Sequence, residues 1–216
     1  MEEFLQDLQL PGEIKPLFVS LANHLAHLNM KWDFYKELFI NKNNSIILAD
    51  TARIFFVSLE QLFRYDITLA ICNLSDHSKY TKKSGKTLFS LSLETLINRC
   101  NANTTTLDLF KEFRKQSEPF RRLRNRVVAH LDLDTAVNLK AKSLPIINEV
   151  KINKILQLAG NILSDISAQY GNTQEIVFVP LVMAGASDLV YWLSKGRAAY
   201  KNYMKNLKEG RIPERF

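Results

Sequence analysis

Residues 18–39, FVSLANHLAHLNMKWDFYKELF, decide the fold class. Their large apolar side chains, Phe18, Leu21, Leu25, Leu28, Trp32, Tyr35 and Phe39, are separated by 3, 4, 3, 4, 3 and 4 residues. That spacing draws one apolar seam along a helix and suits packing against a second helix at a shallow angle. Pro11 and Gly12 stand just upstream, and the polar run 41–44 reads as a turn, so the helix is expected over 13–40.

Working outward, residues 45–73 are apolar nearly all round, which predicts a helix central to its bundle. Arg53, Glu60 and Arg64 interrupt it, with Glu60 and Arg64 at i,i+4 spacing. Buried charges need partners, so these three form either a structural ion-pair network or support for a site. LSDHSKYTKKSGK, residues 74–86, reads as a polar loop, and SLSLETLINRC, residues 90–100, as a short helix. A long helix is expected over 107–133, bent or restarted at Pro119 because proline lacks the ladder N–H. Another follows over 145–170. EIVFV, residues 175–179, has the look of a strand without a partner strand. The last helix, over 183–209, has an apolar stripe of Leu189, Leu193, Gly196, Tyr200, Tyr203 and Leu207 beside a basic one. The pattern predicts an all-α, up-and-down bundle of about five to six helices, closed by a C-terminal amphipathic helix. It reads as one domain over 1–216, with a core at 13–170 and a helical extension at 171–216.

Composition excludes several classes. With 7 Gly and 6 Pro in 216 residues, turns are too few for an all-β fold. The longest apolar run, 176–186, is far shorter than the roughly 20 residues of a membrane span. The N-terminus is acidic and lacks the basic and apolar regions of a secretory signal, so no membrane association and a cytoplasmic location are expected. Cys72 and Cys100 are too few for a disulfide framework or a zinc site, and they read as small buried residues. Ser84-Gly85-Lys86-Thr87 imitates a phosphate loop, but Tyr80 occupies the position of its first glycine and no strand precedes it. His24 and His27 have no acidic or thiol partner at ligand spacing and read as structural. No metal and no cofactor are expected. The net charge of +7 is concentrated at 79–86, 111–126 and 195–215. Such a surplus attracts polyanions, nucleic acid among them.

Chemistry is densest in FRRLRNRVVAHLDLD, residues 120–134. At about 100° per residue, Arg122, Arg126 and His130 share a stripe, and Leu123, Val127 and Leu131 hold the opposite side. Arg124 lies roughly 120° from His130; the two converge only if the helix loosens near its end or two copies face each other. Histidine moves protons near neutrality, and arginine presents a fixed fork of donors to phosphate. The pattern suits RNA cleavage, and it equally suits a polar helix face whose histidine caps the last turn.

LRNRVVAHLD resembles the Arg-(Asn/Asp)-x-x-x-Ala-His-x-Asp signature of the abortive-infection, AbiU-type HEPN proteins. QLFRYD (61–66) and SLSLETLI (90–97) are similar to segments of that family, so the resemblance covers about 13–170. It implies a helical bundle, usually dimeric, with two motifs facing one another across a shared cleft. By this resemblance Arg124 binds the scissile phosphate, Asn125 shapes the site and His130 is the acid and base. Arg121, Arg122 and Arg126 then contact RNA phosphate, with Asp132, Glu60 and Arg64 in support. The implied function is a metal-independent endoribonuclease of antiphage defence or a toxin–antitoxin system, cleaving RNA by 2′-hydroxyl attack. Its implied partners are RNA, transfer RNA included, a second copy of the chain, and an antitoxin or other partner protein. The alternative is a non-catalytic HEPN-like module that binds protein, nucleotide or RNA.

Overall fold

The computed structural model describes residues 8–82, 84–125, 148–172, 176, 178 and 185–211. Six α-helices account for most of them: α1 (Lys15–Tyr35), α2 (Lys42–Ser75), α3 (Leu93–Cys100), α4 (Thr104–Leu123), α5 (Glu149–Gln169) and α6 (Ala186–Lys208). The all-α reading therefore holds. Among the described residues no helix is long and apolar enough to cross a membrane. The chain divides into two compact units, one of residues 1–30 and 64–180, the other of 31–63 and 181–216.

The seam behaves as its spacing demands. Phe18, Leu21, Leu25, Leu28, Trp32 and Tyr35 are all buried on α1, and Phe39 is partly buried. Past Tyr35 the helix widens into a single π-turn, Lys36–Ile40. Asn41 closes that turn and starts α2 by accepting from the N–H groups of Asn43 and Asn44 at 3.1 and 3.4 Å. His24 takes a structural role, its Nε2 lying 3.2 Å from the Ala70 carbonyl.

In the first unit, α4 packs chiefly on α5, and α3 touches both. Phe110, Phe113, Ser117 and Phe120 form the buried stripe of α4, and Ile152, Ile155, Ala159, Ile162 and Ile166 that of α5. Polar ties fix the register of the pair. Asn103 caps α4 by accepting from Thr106 N–H at 2.8 Å. The buried Thr106 hydroxyl donates to Asp165 and accepts from Gln169 Nε2 at 3.0 Å. Asn101, at φ 47°, ends α3 in the left-handed region that asparagine tolerates better than most residues.

Four expectations need correction. The polar loop over 74–86 holds part of a hairpin, in which β1 (Lys79–Thr81) pairs antiparallel with β2 (Thr87–Phe89). Gly85, at φ 79°, makes its turn possible. Pro119 neither breaks nor restarts α4, which runs unbroken across it. The carbonyl it deprives of a donor belongs to Lys115, on the exposed side, where water replaces the lost bond. The first half of α2 is not central: Ile46, Ile54, Phe55, Val57 and Leu62 are exposed, and only its second half sinks into a core, at Ile67, Ala70, Ile71 and Leu74. The expected stripe of α6 is largely solvent-facing, because the helix seats on Ala186 and Val190, with Leu193 partly buried. The candidate strand at 175–179 and the irregular stretch at 134–145 fall largely or wholly outside the described residues.

Phe113 is fully buried between α4 and its neighbours. Phe113→Ala should lower unfolding free energy by about 3–5 kcal/mol, read by urea denaturation. Asn103→Ala should remove about 1 kcal/mol through the lost cap.

Candidate functional site

Rotation of α4 settles which of its arginines face outward. With its phenylalanines buried, Arg114, Arg121 and Arg124 lie on flanks that reach toward the end of α2 and the start of α3. The helix ends at Arg124, whose N–H bonds back to the carbonyls of Phe120 and Arg121. At Arg124 and Asn125 the last described turn takes π geometry. The loosening expected near this end of the helix has therefore begun at the motif arginine itself.

Arg124 is held on two sides. Its Nη1 donates to both carboxylate oxygens of Asp76 at 2.8 Å, and its Nε donates to Asn125 Oδ1 at 3.3 Å. About a fifth of the Arg124 side chain remains exposed (22%). A charge-assisted pair of this kind is stronger than a neutral hydrogen bond, and partial burial shields it from salt. Asp76 is positioned by the stop of α2, where the Ser75 hydroxyl turns back to the Cys72 carbonyl at 3.1 Å.

One residue further along, the same segment meets α4 again. Arg114 Nη1 donates to Glu94 Oε1 at 3.1 Å, and Arg114 Nη2 lies 3.2 Å from His77 Nε2. A guanidinium only donates, so His77 Nε2 accepts and its ring proton sits on Nδ1, 3.6 Å from Glu94 Oε2. Glu94 also accepts from Ser78 N–H. Residues 76–78 therefore bind two arginines of α4, one directly and one together with Glu94 from the first turn of α3.

Cys72 lies one helical turn before Asp76 and is fully buried. Burial pushes its thiol up to about 11, partly opposed by the nearby Arg124 and Arg121 guanidiniums and reinforced by Asp76. It is a packing residue, not a nucleophile.

The remaining site residues spread out. Arg121 is half-buried, and Arg122 is exposed and paired with Glu118 at 3.1 Å. Glu60 accepts from Tyr35 Oη at 3.0 Å, within the second unit. Arg64 belongs to the first unit. Arg126, His130 and Asp132 lie outside the described residues. Asp76, His77, Glu94 and Arg114 were not legible as site residues. Asp76 and His77 sit in a stretch that reads as an ordinary polar loop, and Glu94 in a short helix whose sequence signal is apolar.

An all-helical chain whose long α4 carries Arg124-Asn125 at its end, followed by Ala129-His130-x-Asp132, has the makings of a HEPN domain. Residues 12–184, about four fifths of the chain, match the AbiU2 family model of HEPN domains, and the chain belongs to that family. Its role is accordingly of HEPN type, associated with abortive infection. No curated protein and no solved structure matches the chain.

Because the Cys72 thiol sits about two units above the usual 9.0, its thiolate fraction at pH 8 falls about a hundredfold. Iodoacetamide should leave Cys72 unmodified in the native protein at pH 8, with labelling rising only toward pH 11. Peptide mass mapping reads this out, and fast labelling at pH 8 would disprove the buried environment.

Proposed function

We propose that this AbiU2-family chain is an endoribonuclease that needs no metal and works as a homodimer in antiphage defence or as a toxin restrained by a partner protein. The observation that carries the reading is the intact Arg124-Asn125…His130 motif in a chain of this family, with the Arg124 fork held in a fixed direction at the rim of α4. In the reaction, the 2′-hydroxyl oxygen of RNA attacks the adjacent phosphorus and loses its proton to a base. The bond from phosphorus to the 5′-oxygen breaks, and that oxygen gains a proton from an acid. A 2′,3′-cyclic phosphate and a 5′-hydroxyl remain. His130 is the residue suited to move these protons. Arg124 compensates the charge that builds on the phosphorane oxygens, and Asn125 orients the guanidinium through its Nε–H. Arg121, Arg122 and Arg126 add basic contacts along the RNA backbone.

Asp76 gives this site a second property. Its carboxylate occupies the same Arg124 donors that a phosphate would use, so RNA must displace it or share the fork. That occupancy also favours the second reading, a non-catalytic binding module in which the Arg124–Asp76 pair is purely structural.

With EDTA present, the wild type should cleave total or transfer RNA and leave cyclic phosphate ends, while His130→Ala should be at least about a hundredfold slower with unchanged thermal stability. Absence of cleavage on all substrates, with the variant merely less stable, selects the binding module. Asp76→Asn keeps the shape and removes the competing charge. It should bind RNA more tightly and with a steeper salt dependence; an unchanged affinity and slope would remove Arg124 from the RNA contact surface.

A further inference from the structure

The second unit holds about a third of the chain, yet it has twelve of the seventeen large apolar side chains exposed among the described residues. They lie on the first half of α2 and along α6. Ile54 is the extreme, at 84% exposed. Monomers rarely expose apolar patches of more than a few hundred Å². Ile46, Ile54, Phe55, Val57 and Leu62 together present on the order of 600 Å², against the roughly 800 Å² that each partner contributes to a standard interface.

The charges on this stretch say what covers it. Beyond the non-helical Ala52 (φ −154°, ψ 69°), α2 is regular. Arg53 and Glu60 are seven residues apart, two turns of helix, so they stand on one flank with opposite charge. Their midpoint falls between Phe56 and Val57. Between them opens a groove of about 240 Å³, lined by Phe39, Leu48, Arg53, Phe56, Val57 and Glu60. Glu60 is held there by the Tyr35 hydroxyl. Arg53 is exposed and, among the described residues, pairs with no carboxylate.

A two-fold axis through the midpoint turns this flank into its own complement. We propose that the Arg53–Glu60 face of α2 docks on the same face of a second copy of this chain, the two helices antiparallel. Each Arg53 then meets Glu60 of the partner subunit, and the apolar groove closes over Val57. An isologous contact requires a surface complementary to itself, and this one has both an apolar centre and charges of opposite sign placed symmetrically about it. An anionic lipid surface would favour Arg53 but meet Glu60 with repulsion. The inference rests on the second unit alone and stands whether or not the chain cleaves RNA.

Charge reversal tests it on the full-length protein by sedimentation velocity. The wild type should be a dimer at about 50 µM. Arg53→Glu and Glu60→Arg, each alone, put like charges opposite one another twice, and should weaken dimerisation at least tenfold. Mixing the two variants should restore a dimer containing one of each, because every facing pair is then of opposite sign. This rescue also shows that both variants fold. A monomeric wild type overturns the proposal, and its co-sedimentation with phosphatidylserine vesicles would reassign the face to lipid. Single variants that remain dimeric, or a mixture that fails to associate, overturn it equally.

Discussion

Close packing of α4 against α5 is the constraint from which the candidate site follows. Phe110, Phe113 and Phe120 must be out of water, and the tie from Thr106 to Asp165 sets where along α5 they settle. Once that rotation is fixed, Arg114, Arg121 and Arg124 have little choice of direction. They emerge where α2 ends and α3 begins, and the carboxylates of Asp76 and Glu94 stand there to receive two of them. A different rotation of α4 would bury arginine and expose phenylalanine, at a cost no surface ion pair offsets.

The electrostatics around the motif are those of a balanced site and not of an open basic patch. Arg124 has a carboxylate at hydrogen-bonding distance, Arg114 shares Glu94 with His77, and Arg122 leans on Glu118. Such pairing keeps a run of arginines compatible with a stable helix, since like charges along one flank repel. It also means that an RNA phosphate arriving at Arg124 competes with a carboxylate already in place. Binding there is an exchange of anions on one guanidinium, and the π turn at Arg124 and Asn125 is the local backbone that presents it.

The second unit has a different economy. Its buried cluster is small, built on Leu38, Leu48, Phe56, Ala186 and Val190. The Arg197–Asp50 ion pair and the Asn44 contacts to Glu37 add polar ties. A core of that size cannot enclose a helix that is apolar on most of its faces, so much of the first half of α2 is left facing water. The same physical fact overturns the expectation that this helix is central and supplies the surface for self-association.

Sequence alone determined the helical class, because a 3,4 spacing sustained over 18–39 is incompatible with a strand, and the buried seam of α1 follows from it directly. It also marked the Arg124-Asn125…His130 motif and the family, since both reside in contiguous residues. It could not place Asp76 on Arg124, 48 residues away, because nothing local to a polar loop announces which distant cation it will meet. Nor could it tell which half of an all-round apolar helix would be covered. Periodicity reports which faces of a helix avoid water, while the partner that covers each face is chosen only by tertiary packing.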